Sequence, residues 1–441
     1  MRIIQIVRGL AYGDAVGNDA LALHHILKKY DPETRIYALA VDKRYEGSDF
    51  CALLDTSMDI SPCDIILYHM ATCSAIIRDF LLNVPGRKFM VYHNLTPPLY
   101  FRGYNPVAEV AMYEAYADLE ALRQVFEGCI ADSEFNRRDL LRLGYDMPIA
   151  VLPIIVPFDD YAKPPSMKIL QQYQSDGWTN FIFVGRVVMN KCQEDVIRAF
   201  AYYNKYINPC SRLFVVGNPA GQEIYFKKLQ RYIEYLQADN VIFTGHVPFD
   251  DILAYYKLAD VFLCMSEHEG FCVPLLEAMY FDVPIVAYDA GAIKETLRGA
   301  GVLSHVKDPE KLAFIIDRLV TDSGLREEVL SRQRQCLQYF SYGNVSAMAD
   351  GCLKGIMEQC RLSVDSPETV DEDVGEKVAE VLRASQKVNS SIELPAWEDI
   401  PHEYGARYWC IRMLLCWYRL AHIIAPVSIE RLKVWLRYKL L

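Results

Sequence analysis

Two kinds of periodicity alternate along the first part of the chain. Short apolar runs at residues 2–8, 35–41, 65–69, 88–93, 129–131 and 149–156 have the length and composition of buried strands. Most are separated by stretches with apolar residues three and four apart, as in Asp19-Ala20-Leu21-Ala22-Leu23-His24-His25-Ile26-Leu27-Lys28-Lys29, which fit helices. The alternation resumes with the run that begins at Asn180 and continues through 213–216, 241–244, 259–265 and 284–288. Such a pattern predicts an α/β protein built on doubly wound parallel sheets. Between the two series, Pro153, Pro157, Pro164 and Pro165 read as an interdomain hinge.

Length and charge refine this picture. A chain of 441 residues is long for a single core. Two domains are expected, at 1–160 and 161–355, followed by an acidic tether (356–400) and a tail (401–441). The net charge of −11 leaves no basic field for a nucleic acid. Thirteen cysteines without CxxC pairs indicate neither a disulfide framework nor a structural zinc site, which suits a cytoplasmic protein. Residues 1–9 read as a first strand rather than a signal, and no run of eighteen apolar residues predicts a membrane span.

The C-terminal stretches differ sharply in character. Residues 361–400 carry ten acidic against four basic side chains, and 401–441 carry seven Lys or Arg against two Glu. The tail also places Leu432, Trp435, Leu436 and Leu440 as an apolar stripe flanked by Arg431, Lys433, Arg437 and Lys439. Helices of this kind suit either an anionic membrane surface, here the inner face of the plasma membrane, or a second protein surface, the chain's own or another subunit's.

Candidate chemistry concentrates in one stretch. The apolar run 259–265 leads into Ser266-Glu267-His268-Glu269-Gly270-Phe271-Cys272-Val273-Pro274-Leu275-Leu276-Glu277-Ala278-Met279. Pro274 suits a first helical turn, so a strand, an acidic loop and a helix are expected in succession. The loop then lies at the carboxyl end of a parallel strand, where open α/β sheets bind ligands. Unpaired N–H groups at the helix start suit a diphosphate. Glu269 and Glu277 can each accept paired hydrogen bonds from vicinal hydroxyls, or else are ordinary loop and helix charges. Gly185-Arg186 ends another strand, with Lys191 five positions on; both cations can neutralise a diphosphate or remain surface charges.

The words Glu-Gly-Phe-Cys-Val-Pro-Leu-Leu-Glu-Ala-Met, together with Gly185-Arg186 and Lys191, closely resemble the signature of retaining, nucleotide-sugar-dependent glycosyltransferases of the GT-B fold, the family 4 type. The resemblance covers roughly residues 1–355 and is strongest from 180 to 300. It implies two Rossmann-like domains facing a cleft, the first for acceptor and the second for donor. It assigns Arg186 and Lys191 to the donor pyrophosphate, Glu277 to the ribose, and Glu269 to the donor sugar. Gly270, Phe271, Cys272 and Val273 form the diphosphate-facing helix start, while Gly217 and Gly245-His246-Val247 surround the base. Gly13 and Gly17, in the glycine-bearing loop after the first strand, match a loop near phosphates and acceptor, although a plain strand–helix connection fits them as well. His93 at a strand end matches a histidine that contacts the donor sugar, against the alternative of a structural role. Asp132-Ser133-Glu134-Phe135 is expected to cap a helix, and Glu295 lies on the helix after the last strand.

The implied reaction keeps anomeric configuration and needs no metal or cofactor, the nucleotide sugar being a co-substrate. A hexose-type sugar would pass to a surface-glycan or lipid-linked acceptor. The alternatives are a phosphorylase or disaccharide synthase on the same scaffold, and a catalytically inactive partner subunit.

Overall fold

The computed structural model describes residues 1–357, 396–400 and 413. The first series of apolar runs forms a seven-stranded sheet from β1 (Ile3–Val7), β2 (Arg35–Ala38), β3 (Cys51–Leu53), β4 (Ile65–Met70), β5 (Arg87–Tyr92), β6 (Gly128–Ala131) and β7 (Ile149–Val151). Its order is β3-β2-β1-β4-β5-β6-β7, with every pairing parallel. Every residue of β1, β4 and β6 is buried, as strands covered on both faces require. Helices α1 (Ala15–Leu27), α2 (Ala75–Asn83), α3 (Pro106–Leu122) and α4 (Glu134–Arg142) supply crossovers. Each starts where a short polar side chain accepts from the third residue on: Asp14 from Gly17, Ser74 from Ile77, Asn105 from Ala108 and Ser133 from Asn136. The cap expected in Asp132-Ser133-Glu134-Phe135 is thus Ser133.

The second series builds a separate six-stranded parallel sheet. It comprises α5 (Met167–Tyr173), β8 (Thr179–Val184), α6 (Gln193–Tyr206), β9 (Ser211–Val216), α7 (Glu223–Leu236), β10 (Val241–Gly245), α8 (Phe249–Leu258), β11 (Val261–Cys264), α9 (Val273–Tyr280), β12 (Ile285–Tyr288), α10 (Ile293–Leu297), β13 (Val302–Ser304), α11 (Pro309–Thr321) and α12 (Ser323–Tyr339). The strand order is β10-β9-β8-β11-β12-β13, with an apolar core on each face. In both sheets the order reverses beside the first strand, β1 or β8, which fixes where the crevice at the strand ends lies.

Within residues 1–357 the chain crosses between the domains twice. The proline-rich segment after β7 is pinned at its start, where Ile155 donates its N–H to the buried Asp19 carboxylate at 2.9 Å. Helix α13 (Tyr342–Met357) lies mostly within the stretch expected to belong to the second domain, yet it packs on the first. Its Val345, Ala349, Leu353 and Ile356 share a core with Ile3, Leu27 and Phe89, and Asp350 accepts from Tyr30 Oη at 2.6 Å.

A strap from the first domain also reaches across. After β5, Asn94 takes a left-handed conformation (φ 71°), and the following loop seats Phe101 in the second domain's core. Asn105 Nδ2 donates to the Gly221 carbonyl at 2.7 Å, and Tyr104 meets Tyr225 edge-on. Of the expected acidic tether, residues 396–400 dock on the second domain: Ile400 is buried, and the Trp397 ring lies against Tyr225 and Tyr232 with Lys228 Nζ 4.1 Å from its centre. The expected basic aromatic tail falls outside the described residues, Met413 apart.

Candidate active site

Glycine rows let three strand ends of the second domain converge. A Cβ on Gly217 would lie 1.8 Å from the Gly185 carbonyl oxygen, so the ends of β8 and β9 touch backbone to backbone. Gly217 in turn bridges Gly245 at the end of β10. Arg186, His246 and the half-buried Val247 leave from this row, and both Arg186 and His246 are exposed. The Arg186 side chain has no hydrogen bond or ion pair among the described residues. The Gly185 Cβ position is 4.0 Å from Lys191 Cε, which brings Lys191 under the same row.

Lys191 and Glu269 form an ion pair. Lys191 Nζ donates to both Glu269 oxygens, at 2.5 and 2.7 Å, with both side chains largely buried. Burial alone would favour the neutral amine, but the Glu269 carboxylate outweighs it and holds the ammonium above the usual lysine range. The loop is kept in place by Gly291, whose added Cβ would lie 2.6 Å from the Glu269 carbonyl oxygen, and by the Ala292 N–H donating to that oxygen at 2.9 Å.

Helix α9 begins just beyond. Its capping residue Cys272 is left-handed (φ 74°), a conformation seldom adopted by a side-chain-bearing residue and concentrated at functional sites. The N–H groups of Phe271, Cys272 and Val273 find no acceptor among the described residues, so the helix presents free donors. Pro274 at the second helical position has no N–H to leave unpaired.

Glu277 lies one turn into α9. Its carboxylate accepts from Tyr161 Oη at 2.8 Å and Tyr256 Oη at 2.6 Å. Burial raises its pKa, while the two hydroxyls oppose that shift. Each oxygen retains acceptor capacity for a further donor. Because Tyr161 belongs to the interdomain segment, this carboxylate also fastens the hinge to the donor side.

The first domain contributes a different set. Gly13 is exposed in the loop before α1, at φ 77°, and Gly17 is buried in the first turn of that helix. His93, expected at the donor sugar, is instead turned inward. Its side chain is 2 % exposed, with Nδ1 on Asp132 Oδ2 at 3.0 Å and Nε2 on His69 Nδ1 at 2.8 Å. Both ring nitrogens are therefore engaged within the domain, the arrangement that the structural alternative would have.

Residues not singled out as ligands from the sequence join the two halves. His268 Nε2 meets Asn94 Oδ1 at 2.5 Å, with the rings of Tyr100 and Phe135 beside it. Ser133 Oγ donates to the Gly270 carbonyl at 2.7 Å, and a Cβ on Gly270 would stand 2.5 Å from Asn94 Cβ. Glu295 accepts from the Phe135 N–H at 3.1 Å and from Arg138 at 2.7 Å. His268 adjoins Glu269 in sequence and was findable on that basis. Asn94 and Glu295 carried no such signal, since their partners are far away along the chain.

Residues 169–335 match the family model of glycosyl transferases group 1. Among curated proteins, the chain is 24 % identical over 233 residues to the O-antigen chain mannosyltransferase B of Escherichia coli, covering 50 % of this chain and 59 % of that protein. It is 31 % identical over 156 residues to the D-inositol 3-phosphate glycosyltransferase of Acidothermus cellulolyticus, covering 34 % and 35 %. An uncharacterized glycosyltransferase of Methanocaldococcus jannaschii is 27 % identical over 180 residues, covering 40 % and 45 %. The chain thus spans between about a third and three fifths of these relatives' lengths. Among solved structures, Anabaena HepE in complex with UDP and glucose aligns with a TM-score of 0.65 at 19 % identity, over 80 % of this chain and all of that one. Sucrose-phosphate synthase of Thermosynechococcus elongatus aligns at 0.64 and 15 % identity, over 81 % and 99 %.

Proposed function

We propose, for a chain that belongs to the group 1 glycosyltransferases and has the GT-B fold, that it transfers a hexose from a nucleoside-diphosphate sugar to a surface-glycan or lipid-linked acceptor with retention of configuration. The observation that carries this reading is the meeting, in one crevice, of an unpaired Arg186, a buried Lys191 and the free N–H groups that open α9. An array of fixed cations and backbone donors stabilises the charge that develops on a departing diphosphate.

In this mechanism Arg186 forks across diphosphate oxygens, and the N–H groups of Phe271, Cys272 and Val273 receive the remainder. Lys191 exchanges Glu269 for phosphate, which frees the Glu269 carboxylate to accept from hydroxyls of the sugar. Glu277 accepts from the ribose, and the backbone at Gly217, Gly245, His246 and Val247 reads the base. The acceptor's proton passes to the leaving phosphate, because no side chain of the described residues in the crevice is set as a general base. A mannosyltransferase and a GDP-mannose-dependent enzyme are among the relatives, and a solved neighbour holds UDP-glucose, so GDP-mannose and UDP-glucose are the first donors to test.

The test is nucleotide release and thermal shift with GDP-, UDP-, dTDP- and ADP-sugars, run on the full chain. One donor should raise the unfolding temperature and release its nucleoside diphosphate when a lipid-linked acceptor is present. Absence of any shift or release would reject the reading in favour of a partner subunit. Strict dependence on inorganic phosphate would favour a phosphorylase. Among the described residues no helix is long and apolar enough to cross a membrane. The acceptor assignment therefore rests on residues 401–441, and their deletion should release the protein from anionic liposomes while leaving donor turnover intact.

A further inference from the structure

Behind the first-domain wall lies a row of buried polar groups that the transfer reaction does not use directly. Gln5 on β1, His69 on β4, His93 after β5 and Asp132 after β6 follow one another across four adjacent strands. Gln5 Nε2 donates to the Ala20 carbonyl at 3.2 Å, which turns its oxygen toward His69 Nε2 at 2.9 Å. An amide oxygen only accepts, so His69 carries its proton on Nε2. Its Nδ1 then holds a lone pair, facing His93 Nε2 at 2.8 Å. His93 must therefore donate from Nε2, while its Nδ1 stands 3.0 Å from the Asp132 carboxylate.

The ring geometry identifies what lies between the two histidines. The rings are 7° from parallel with centroids 5.1 Å apart. A nitrogen–nitrogen distance of 2.8 Å at that separation requires both nitrogens to lie on the line joining the ring centres. The rings are thus head-on, the arrangement of an N–H···N hydrogen bond. Ligand atoms of Asp19, His69 and His93 fall within 4.8 Å of one another, as a metal site would need. Nitrogens aimed at each other, however, do not converge on the shared vertex that a bound ion occupies.

We infer that Gln5 and His69 are positioning residues that hold His93 doubly protonated, placing a fixed imidazolium behind the first-domain wall of the cleft. The groups that face it are His69 from β4, Asp132 from the β6 end, and Asp19 and Asp14 from α1 and its cap. Although burial disfavours the charge, the Asp132 carboxylate, aided by Asp19 and Asp14, holds His93 at about 9. His69, buried beside that cation, stays neutral, its pKa well below the usual value. The next residue, Asn94, touches His268 and Gly270 across the cleft. What the charge does rests on the proposed transfer reaction: it adds to the field in which negative charge grows on the leaving diphosphate.

The experiment is nitrogen-15 NMR of the histidine-labelled full chain, with the His93 signals assigned by their loss in His93→Gln. At pH 7.5 His93 should show two protonated nitrogens and lose one with a midpoint near 9. In Gln5→Met, His69 is free to move its proton to Nδ1 and donate to His93, so the imidazolium signature should disappear at pH 7.5. Asp132→Asn should lower the midpoint by about two units. A neutral His93 in the unmodified protein, or a stoichiometric bound metal, overturns the inference whether or not the variants fold. The alkaline limb of kcat against pH should move down with the midpoint in Gln5→Met. An unmoved limb would leave His93 as a structural cation and reject the positioning role. Failure of the transfer assay in the unmodified protein would leave the NMR result standing and count against the proposed function alone.

Discussion

Tyr161, on the segment that links the two domains, donates its hydroxyl to Glu277, the carboxylate proposed to hold the donor ribose. One side chain thus has two duties. Glu277→Ala removes the proposed ribose acceptor, takes away the Tyr161 hydroxyl's acceptor and leaves Tyr256 only the Pro274 carbonyl at 3.5 Å, at a cost of about 1–3 kcal/mol for each buried group that loses its partner. Both donor affinity and unfolding temperature should fall. Tyr161→Phe removes the donor to Glu277 Oε1, and should lower stability by about 1–3 kcal/mol while preserving donor affinity. Calorimetry with the preferred donor separates the two; unchanged affinity in Glu277→Ala would remove its ribose role.

Arg186 and Lys191 are both assigned to the diphosphate, but they differ in what else they hold. Arg186→Ala removes an exposed, unpaired charge and should leave stability within about 0.5 kcal/mol while weakening donor binding. Lys191→Ala strands Glu269 in a buried site, a loss of about 3–5 kcal/mol, which adding Glu269→Gln should largely restore. Denaturant titration of the three variants checks the ordering. A stable Lys191→Ala would mean that Glu269 finds another partner or takes up a proton.

Gly270 is one place where the domains meet without room for a side chain. A methyl group there would collide with Asn94 Cβ, an atom fixed to the opposite backbone. Gly270→Ala should therefore separate the domains, seen as a larger radius of gyration in X-ray scattering with unchanged circular dichroism. Adding Asn94→Gly removes the collision at a position whose φ of 71° suits glycine. Compactness should return; without His268's partner, activity should not.

His24 sets an acid limit. It is 1 % exposed, both ring nitrogens lack partners among the described residues, and burial lowers it to about 4. Its pKa is depressed on folding, so the unfolded chain takes up the proton first as the pH falls. Stability is lost progressively from the ordinary histidine value of about 6.5 down to about 4. His24→Leu should flatten the fall in unfolding temperature across that window relative to the unmodified protein. Identical slopes would show that the ring is satisfied by water.

The sheets were readable in the sequence because their inner strands are mostly apolar and buried throughout, as at β1 and β4, each with one polar residue. β3 and β13 escaped notice for the converse reason. Each has only three residues and stands at a sheet edge, too short a run to read as a strand, and Leu53 is 65 % exposed. The donor-side residues were legible because strand end, glycine and charge occur together within short words. The cross-domain residues were not. Asn94 and His268 lie 174 positions apart, and only folding brings them to a hydrogen bond. His93 shows the limit of the strand-end argument: position predicts which end of the sheet a side chain occupies, but not whether neighbouring strands have already taken its nitrogens.

The return of α13 to the first domain has a mechanical consequence. The donor domain is mounted like a door on two pins, one in the proline-rich segment after β7 and the other where α12 gives way to α13. A body held at two separated points keeps one easy rotation, about the line through them, and resists sliding or twisting off register. Any opening of this crevice would therefore carry Arg186 and the start of α9 along a single arc.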